Sequence, residues 1–123
     1  MDINLEKQLI EKYPKLFTEY NLSPLQTCMC FGLECGDGWF NIIDEMCLKL
    51  SKYDIKFTQV KEKFGALRVY FEGANIENYD PIFNIISEAE EKSAITCEIC
   101  GKSGCLRGLS WYKTLCEDCH EQT

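Results

Sequence analysis

The chain has no apolar run approaching the ~18 residues that cross a bilayer, and its first residues, MDINLEKQLIEKY, lack the apolar stretch of a secretory leader. A membrane protein or an exported one is therefore not expected; a soluble protein of the cytoplasm is. Positive charge is scarce. Thirteen Lys and Arg face twenty Asp and Glu, giving a formal charge of −7. Such a chain repels phosphate backbones overall, which argues against indiscriminate binding to nucleic acid. No internal repeat and no low-complexity segment is visible. No nucleophile–base pair and no glycine-rich phosphate loop stands out, so an enzyme is not the expectation.

Cysteine, by contrast, is abundant: nine in 123 residues. The odd count and the missing leader disfavour a disulfide framework, since thiols stay reduced in the cytoplasm. Four of the nine form two pairs, Cys97-Glu98-Ile99-Cys100 and Cys116-Glu117-Asp118-Cys119, spaced C-x2-C-x15-C-x2-C. Two tight turns of this kind aim four sulfurs at one metal ion, and zinc takes four thiolates in a closed tetrahedral shell. The expectation is one structural Zn2+ per chain on Cys97, Cys100, Cys116 and Cys119. A closed shell leaves no position for water, which makes catalysis by this metal unexpected. Gly101 after the second cysteine suits the positive φ of a knuckle, and Glu117 and Asp118 suit the first turn of a short helix. Residues Leu106 to Leu115 read as a hairpin carrying Trp111 and Tyr112 over the metal. Cys105 is badly spaced for a ligand. His120, the sole histidine, reads as a bystander.

Cys28, Cys30, Cys35 and Cys47 form a looser group. A second soft-metal site is one reading of it; buried free thiols that pack as small hydrophobes are the favoured one.

Periodicity supplies the rest of the architecture. Ile3, Leu5, Leu9, Tyr13, Leu16, Phe17 and Tyr20 suit an amphipathic helix over about 3–20, with Pro14 forcing a kink or a restart. Residues 21–38 read as irregular. Trp39, Ile43, Met46, Leu50 and Tyr53 mark a helix over about 38–53, capped by Asp37, with Trp39 in the core. Ile55 and Phe57, then Leu67, Val69 and Phe71, alternate with polar residues and predict a hairpin over about 55–72, turning at Phe64-Gly65. Asp80-Pro81 reads as a cap and first residue of a helix over about 80–93 with Ile82, Phe83, Ile86 and Ala89 inward. The fold class is α+β. A helical and hairpin domain over 1–95 precedes a treble-clef-like or ribbon-like zinc module over 96–123.

Charge is unevenly spread. Residues 55–75 carry +2 against −4 for 1–54, −4 for 76–95 and −1 for 96–123. Lys61, Lys63 and Arg68, with Tyr70 for stacking, are the candidate partner-binding residues; a solvated strand edge is the plainer reading. Asp37, Gln59 and Lys61 around magnesium would make a nuclease, but the cluster of acids such chemistry needs is missing.

Four phrases, ECGDGWFNIIDEMC, QVKEKFGALRVYFEG, ISEAEEKSAITCEICGKSG and WYKTLCEDC, together resemble a family of small proteins of bacteria and their phages, over roughly residues 30–120. The resemblance implies a helix, hairpin, helix and zinc-finger order and carries no reaction. The function expected is non-enzymatic binding to a host protein or complex, with a phage-encoded inhibitor of a host nuclease or defence complex as its sharpest form. An acidic surface can occupy a groove evolved for nucleic acid. The alternative is a zinc-finger regulator that binds nucleic acid through the basic hairpin.

Overall fold

The computed structural model describes residues 1–122. Four α-helices and two small sheets make an α+β fold with the cysteine pairs at its C-terminal end. Helix α1 spans Ile3–Lys12, strand β1 Leu33–Glu34 and helix α2 Phe40–Leu50. Strands β2 (Lys56–Lys63) and β3 (Ala66–Glu72) form the hairpin, and α3 spans Ile76–Ser93. Strands β4 (Cys105–Arg107) and β5 (Lys113–Leu115) and helix α4 (Glu117–Glu121) complete the chain.

The core lies between the inner face of the hairpin and helices α2 and α3. Trp39, Ile43, Leu50, Phe57, Val60, Leu67 and Ile82 are fully buried there. Phe17 meets Phe57 edge-on at 5.2 Å between ring centroids, an arrangement aromatic pairs favour. The α2–α3 seam carries Glu45, Lys49, Glu88 and Lys92 as a solvent-exposed ion-pair network.

Three helix boundaries differ from expectation. The first helix stops at Lys12 rather than near 20, because Pro14 cannot donate to the helix; turns follow and still bury Leu16 and Phe17. Asp37 does not cap α2 with its side chain. It opens a 3₁₀ turn, Asp37–Trp39, that leads into the helix, and its carboxylate accepts from the Asp2 N–H at 2.6 Å. Asp80-Pro81 does not start α3, which begins at Ile76 with Asn75 as N-cap and contains Pro81. The extra turn carries Tyr79, which lies between Phe71 and Phe83 at 6.1 Å and 6.2 Å.

Strand β1 was not legible in the sequence. It pairs in parallel with β2, Leu33 opposite Val60 and Glu34 opposite Lys61, so the sheet order is β1-β2-β3. Both edges of this sheet are closed by carboxylate or hydroxyl side chains. Glu6, buried, accepts from the Leu33 N–H at 2.5 Å and from the Tyr20 hydroxyl at 2.7 Å. On the far edge the Leu67 N–H donates to Ser93 Oγ at 2.8 Å and the Val69 N–H to Glu90 at 3.2 Å. Bare edge N–H groups invite strand addition, and here they have partners.

Candidate metal centre

Cys97 and Cys100 sit on a knuckle between α3 and β4. Cys116 and Cys119 flank and enter α4. Cys116 is the N-cap of that helix, and its Sγ accepts from the Cys119 N–H at 3.4 Å. Gly101 takes φ +84°, which closes the knuckle. The order of knuckle, hairpin and short helix is that of a treble clef, with α4 only five residues long.

The four sulfurs lie within 4.8 Å of one another, and Cys100 Sγ is 3.6 Å from Cys116 Sγ. A tetrahedron with metal–sulfur arms of ~2.3 Å has edges of ~3.8 Å, so the arrangement suits a single metal ion. Cys97, Cys116 and Cys119 are buried; Cys100 faces solvent.

Electrostatics divide the four thiols. Burial pushes the Cys97 thiol up, but backbone N–H groups of Cys116, Cys100 and Ile99 together outweigh it and bring it down to about 6. The Cys119 thiol is pushed up to about 12, chiefly by its contact with the Cys116 sulfur and then by burial. At Cys100 the Lys102 N–H pulls the thiol down, but desolvation and then the Cys116 and Cys97 sulfurs outweigh it, so it is also raised. One thiolate forms easily and negative charge on its neighbours is then disfavoured. A divalent cation among the sulfurs removes that penalty and makes the four thiolates compatible.

The remaining cysteines stand apart. Among the described residues, this quartet is the one group of three or more His, Cys, Asp or Glu side chains placed to hold a metal ion. Cys28, Cys30, Cys35 and Cys47 are not drawn together. Burial pushes the Cys35 thiol up to about 12 and raises Cys47 as well, the behaviour of inert core thiols. Cys105 is exposed on β4, opposite Leu115, and His120 is exposed on α4; neither joins the quartet.

The loop joining β4 and β5 holds Trp111 in solvent on the metal module, where it shares a groove with Ile99 and Leu115. Its side chain is 77% exposed, and Tyr112 is 38% exposed. Gly108, at φ +113°, turns the chain immediately after Arg107.

Residues that sequence reasoning passed over anchor the knuckle. The Gly38 N–H donates to the Glu98 carbonyl at 2.7 Å, and the Gly36 N–H to the Glu98 carboxylate at 2.8 Å. Glu98 is buried and also holds Lys113 Nζ at 3.4 Å. Thr114 donates its hydroxyl to the Gly65 carbonyl at 2.6 Å. A charged residue between the first two cysteines of the quartet, and a threonine two residues before the third, were the available signals. The phrases ECGDGW, KFG, CEICG and TLC thus meet at one interface between the metal module and the rest of the chain.

Strand register gathers the candidate partner-binding residues. Lys61 pairs with Arg68 and Gln59 with Tyr70, while Lys63 pairs with Ala66. Because β3 alternates, with Leu67 and Val69 buried and Arg68 and Tyr70 exposed, these four side chains share the outer face of the hairpin. Asp37, Gln59 and Lys61 form no group with clustered acids. No helix among the described residues is long and apolar enough to cross a membrane. Comparison with protein-family models, with curated proteins and with solved structures returns no match.

Proposed function

We propose that the quartet holds one structural zinc ion and that the protein works without catalysis, by docking on another protein. The donor set supports zinc, because four thiolates fill its tetrahedral shell and leave no place for water or substrate. Metal binding in small finger peptides contributes ~10–16 kcal/mol near neutral pH, and a segment this short and loop-rich has little core of its own. Zinc therefore acts as a staple, and function falls to the surfaces it positions.

The observation that carries docking is the state of the hairpin cations. Lys61, Lys63 and Arg68 form no ion pair among the described residues and lie together on one face, whereas Lys12, Lys49, Lys56, Lys92 and Lys113 each hold a carboxylate. Lys7, Lys15, Lys52, Lys102 and Arg107 also form no ion pair among the described residues but do not lie on this face. Tyr70, 47% exposed, lies on the same face. Three cations without an ion-pair partner among the described residues, one of them (Lys63) over the Phe64 ring, lie beside Tyr70 on a chain of net charge −7. This favours a limited acidic patch on a partner protein. A host nuclease or defence complex, inhibited by a phage-borne chain, is one case of this reading.

Nucleic acid is the second reading, since the same cations suit phosphate and Tyr70 suits a base. Its disadvantage is the surrounding negative charge, which a polyanion meets before it reaches the strip. Affinity capture from lysate, with and without nuclease treatment and with a Lys61→Glu/Arg68→Glu control, separates the two. A partner protein retained after nuclease treatment and lost in the control supports protein docking. A capture that depends on nucleic acid supports the alternative.

A further inference from the structure

A groove of about 440 Å³ opens on the metal module, walled by Ile99, Trp111 and Leu115 and edged by Arg107, Lys113, His120 and the Lys113-paired Glu98. It shares no residue with the hairpin face. We propose that it is a peptide-binding site, and that its ligand is an extended segment presenting an internal Asp or Glu beside an aromatic or aliphatic side chain.

Two observations lead there. The first is the treatment of the two tryptophans. Trp39 is fully buried with its N–H bonded to a carbonyl, while Trp111 leaves 77% of its surface in water against an apolar wall. A wide, rigid indole loses little entropy on binding and suits an anchor position in an interface. The second is charge. Lys113 is occupied by Glu62 and Glu98, but Arg107 forms no ion pair among the described residues. Its Nε donates to the Leu115 carbonyl at 3.0 Å, which fixes the head group at the groove edge.

The groove therefore offers one apolar wall and one positioned, uncommitted guanidinium. That combination selects a single carboxylate next to an apolar group, because guanidinium and carboxylate can pair bidentately. A polyphosphate would meet the Glu98 carboxylate, and Lys113 is already engaged by Glu62 and Glu98. A chain-terminal carboxylate is usually held by a nest of backbone N–H groups, and the Gly36 N–H here is already given to Glu98. Glycine at 108 lets the loop that carries Trp111 close tightly: a side chain there would run into the Trp111 carbonyl. The volume falls within the usual range for ligand clefts, about 300–1,000 Å³.

The test is a titration of the metal-loaded protein with a capped Gly-Leu-Asp-Phe-Gly peptide, followed by amide and indole N–H shifts in two-dimensional NMR. Three comparison probes are its Asn counterpart, a Leu-Phe peptide with a free C-terminal carboxylate, and a short oligothymidylate. The Asp peptide should move the Trp111 indole N–H and the amides of Ile99 and Gly108, leave Trp39 in place, and bind about tenfold more tightly than the Asn peptide, a ratio worth ~1.4 kcal/mol. Arg107→Gln should erase the Asp-over-Asn preference with metal content intact, and Trp111→Ala should abolish the shifts. Absence of shifts at millimolar peptide, equal binding of Asp and Asn peptides, or preference for the free-acid peptide or the oligonucleotide would each overturn the proposal.

Discussion

The indole N–H of Trp39 donates to the backbone carbonyl of Thr96 at 2.9 Å, which ties the start of α2 to the residue just before the first cysteine of the quartet. Trp39 is fully buried and Thr96 half-buried, so the bond is partly shielded from water. Replacing the ring with phenylalanine keeps most of the apolar contact and strands the Thr96 carbonyl. Loss of a hydrogen bond of this part-buried kind costs about 0.5–1.5 kcal/mol. Trp39→Phe should lower the urea midpoint by a corresponding amount with an unchanged denaturant slope. A midpoint equal to the parent's would mean that this bond does not couple the two parts.

Metal stoichiometry gives a second prediction. Elemental analysis should find about one zinc per chain, the capacity of a single four-thiolate shell. Cys97→Ser and Cys116→Ser should lose it, and hydrogen exchange should then show residues 96–122 opened. Cys105→Ser and His120→Ala should keep full metal content, because neither residue belongs to the quartet. Metal retained in Cys116→Ser but lost in Cys105→Ser would reassign the site.

The quartet was legible in the sequence because ligand spacing is local: each C-x2-C pair fixes its own turn. The same holds for the hairpin, whose period-two pattern and Phe64-Gly65 turn are short-range signals. The supporting residues were not legible, because their reasons are long-range. Gly36 and Gly38 look like ordinary loop glycines until the knuckle lies against them, and Glu98 looks like a solvated acid between two cysteines. Strand β1, two residues long, has no periodicity to detect; it exists because β2 and Glu6 supply partners for its backbone. Pro81 misled for a related reason. A local rule placed it at a helix start, and the stack of Phe71, Tyr79 and Phe83 extended the helix past it.

The glycines of the ECGDGW phrase make a third prediction. A Cβ on Gly36 would run into the Glu98 carbonyl, and one on Gly38 into the Cys97 carbonyl. These are backbone atoms of the knuckle and cannot swing aside. Gly36→Ala and Gly38→Ala should each destabilise by ~1–3 kcal/mol, as overpacking does, and should weaken metal retention against a chelator. Asp37→Ala, between them, should do less, since its exposed side chain holds only the Asp2 N–H. Equal effects at all three positions would argue against a steric cause.

Acid sensitivity should depend on Glu19. This carboxylate is buried, and the Thr27 hydroxyl and the Lys56 ammonium, the latter 2.9 Å away, hold it below its ordinary value of 4.5. A depressed folded value means that its stabilisation is present above 4.5 and disappears as pH falls through the folded value. Glu90 acts in the opposite sense: burial raises it, so its contribution is lost as pH climbs through its folded value. Denaturant midpoints measured from about pH 7 down to about pH 3 should fall in the parent and fall less in Glu19→Gln. Identical acid limbs would assign the loss to other carboxylates.

Phe64 gives the last prediction, and it runs against the usual sign. Phe64 and Gly65 have φ of +54° and +82°, so both centre residues of this two-residue turn are left-handed. Such turns favour Asn-Gly, because asparagine tolerates the left-handed region and phenylalanine does not. The ring is 65% exposed and its one aromatic interaction is with Lys63 Nζ, 5.7 Å from its centroid. An exposed contact of that kind contributes ~0.5–1 kcal/mol, whereas left-handed strain costs roughly 1–2 kcal/mol per residue. Phe64→Asn should therefore raise the thermal midpoint, with a net gain of about 0.5–1 kcal/mol. The same variant bears on docking, since Phe64 adjoins Lys63, Arg68 and Tyr70 along one shallow surface groove. A more stable Phe64→Asn protein that captures less partner would mean that the aromatic tip is kept for binding at the expense of the fold. A less stable one would place the ring's value in packing and remove the tip from the docking surface.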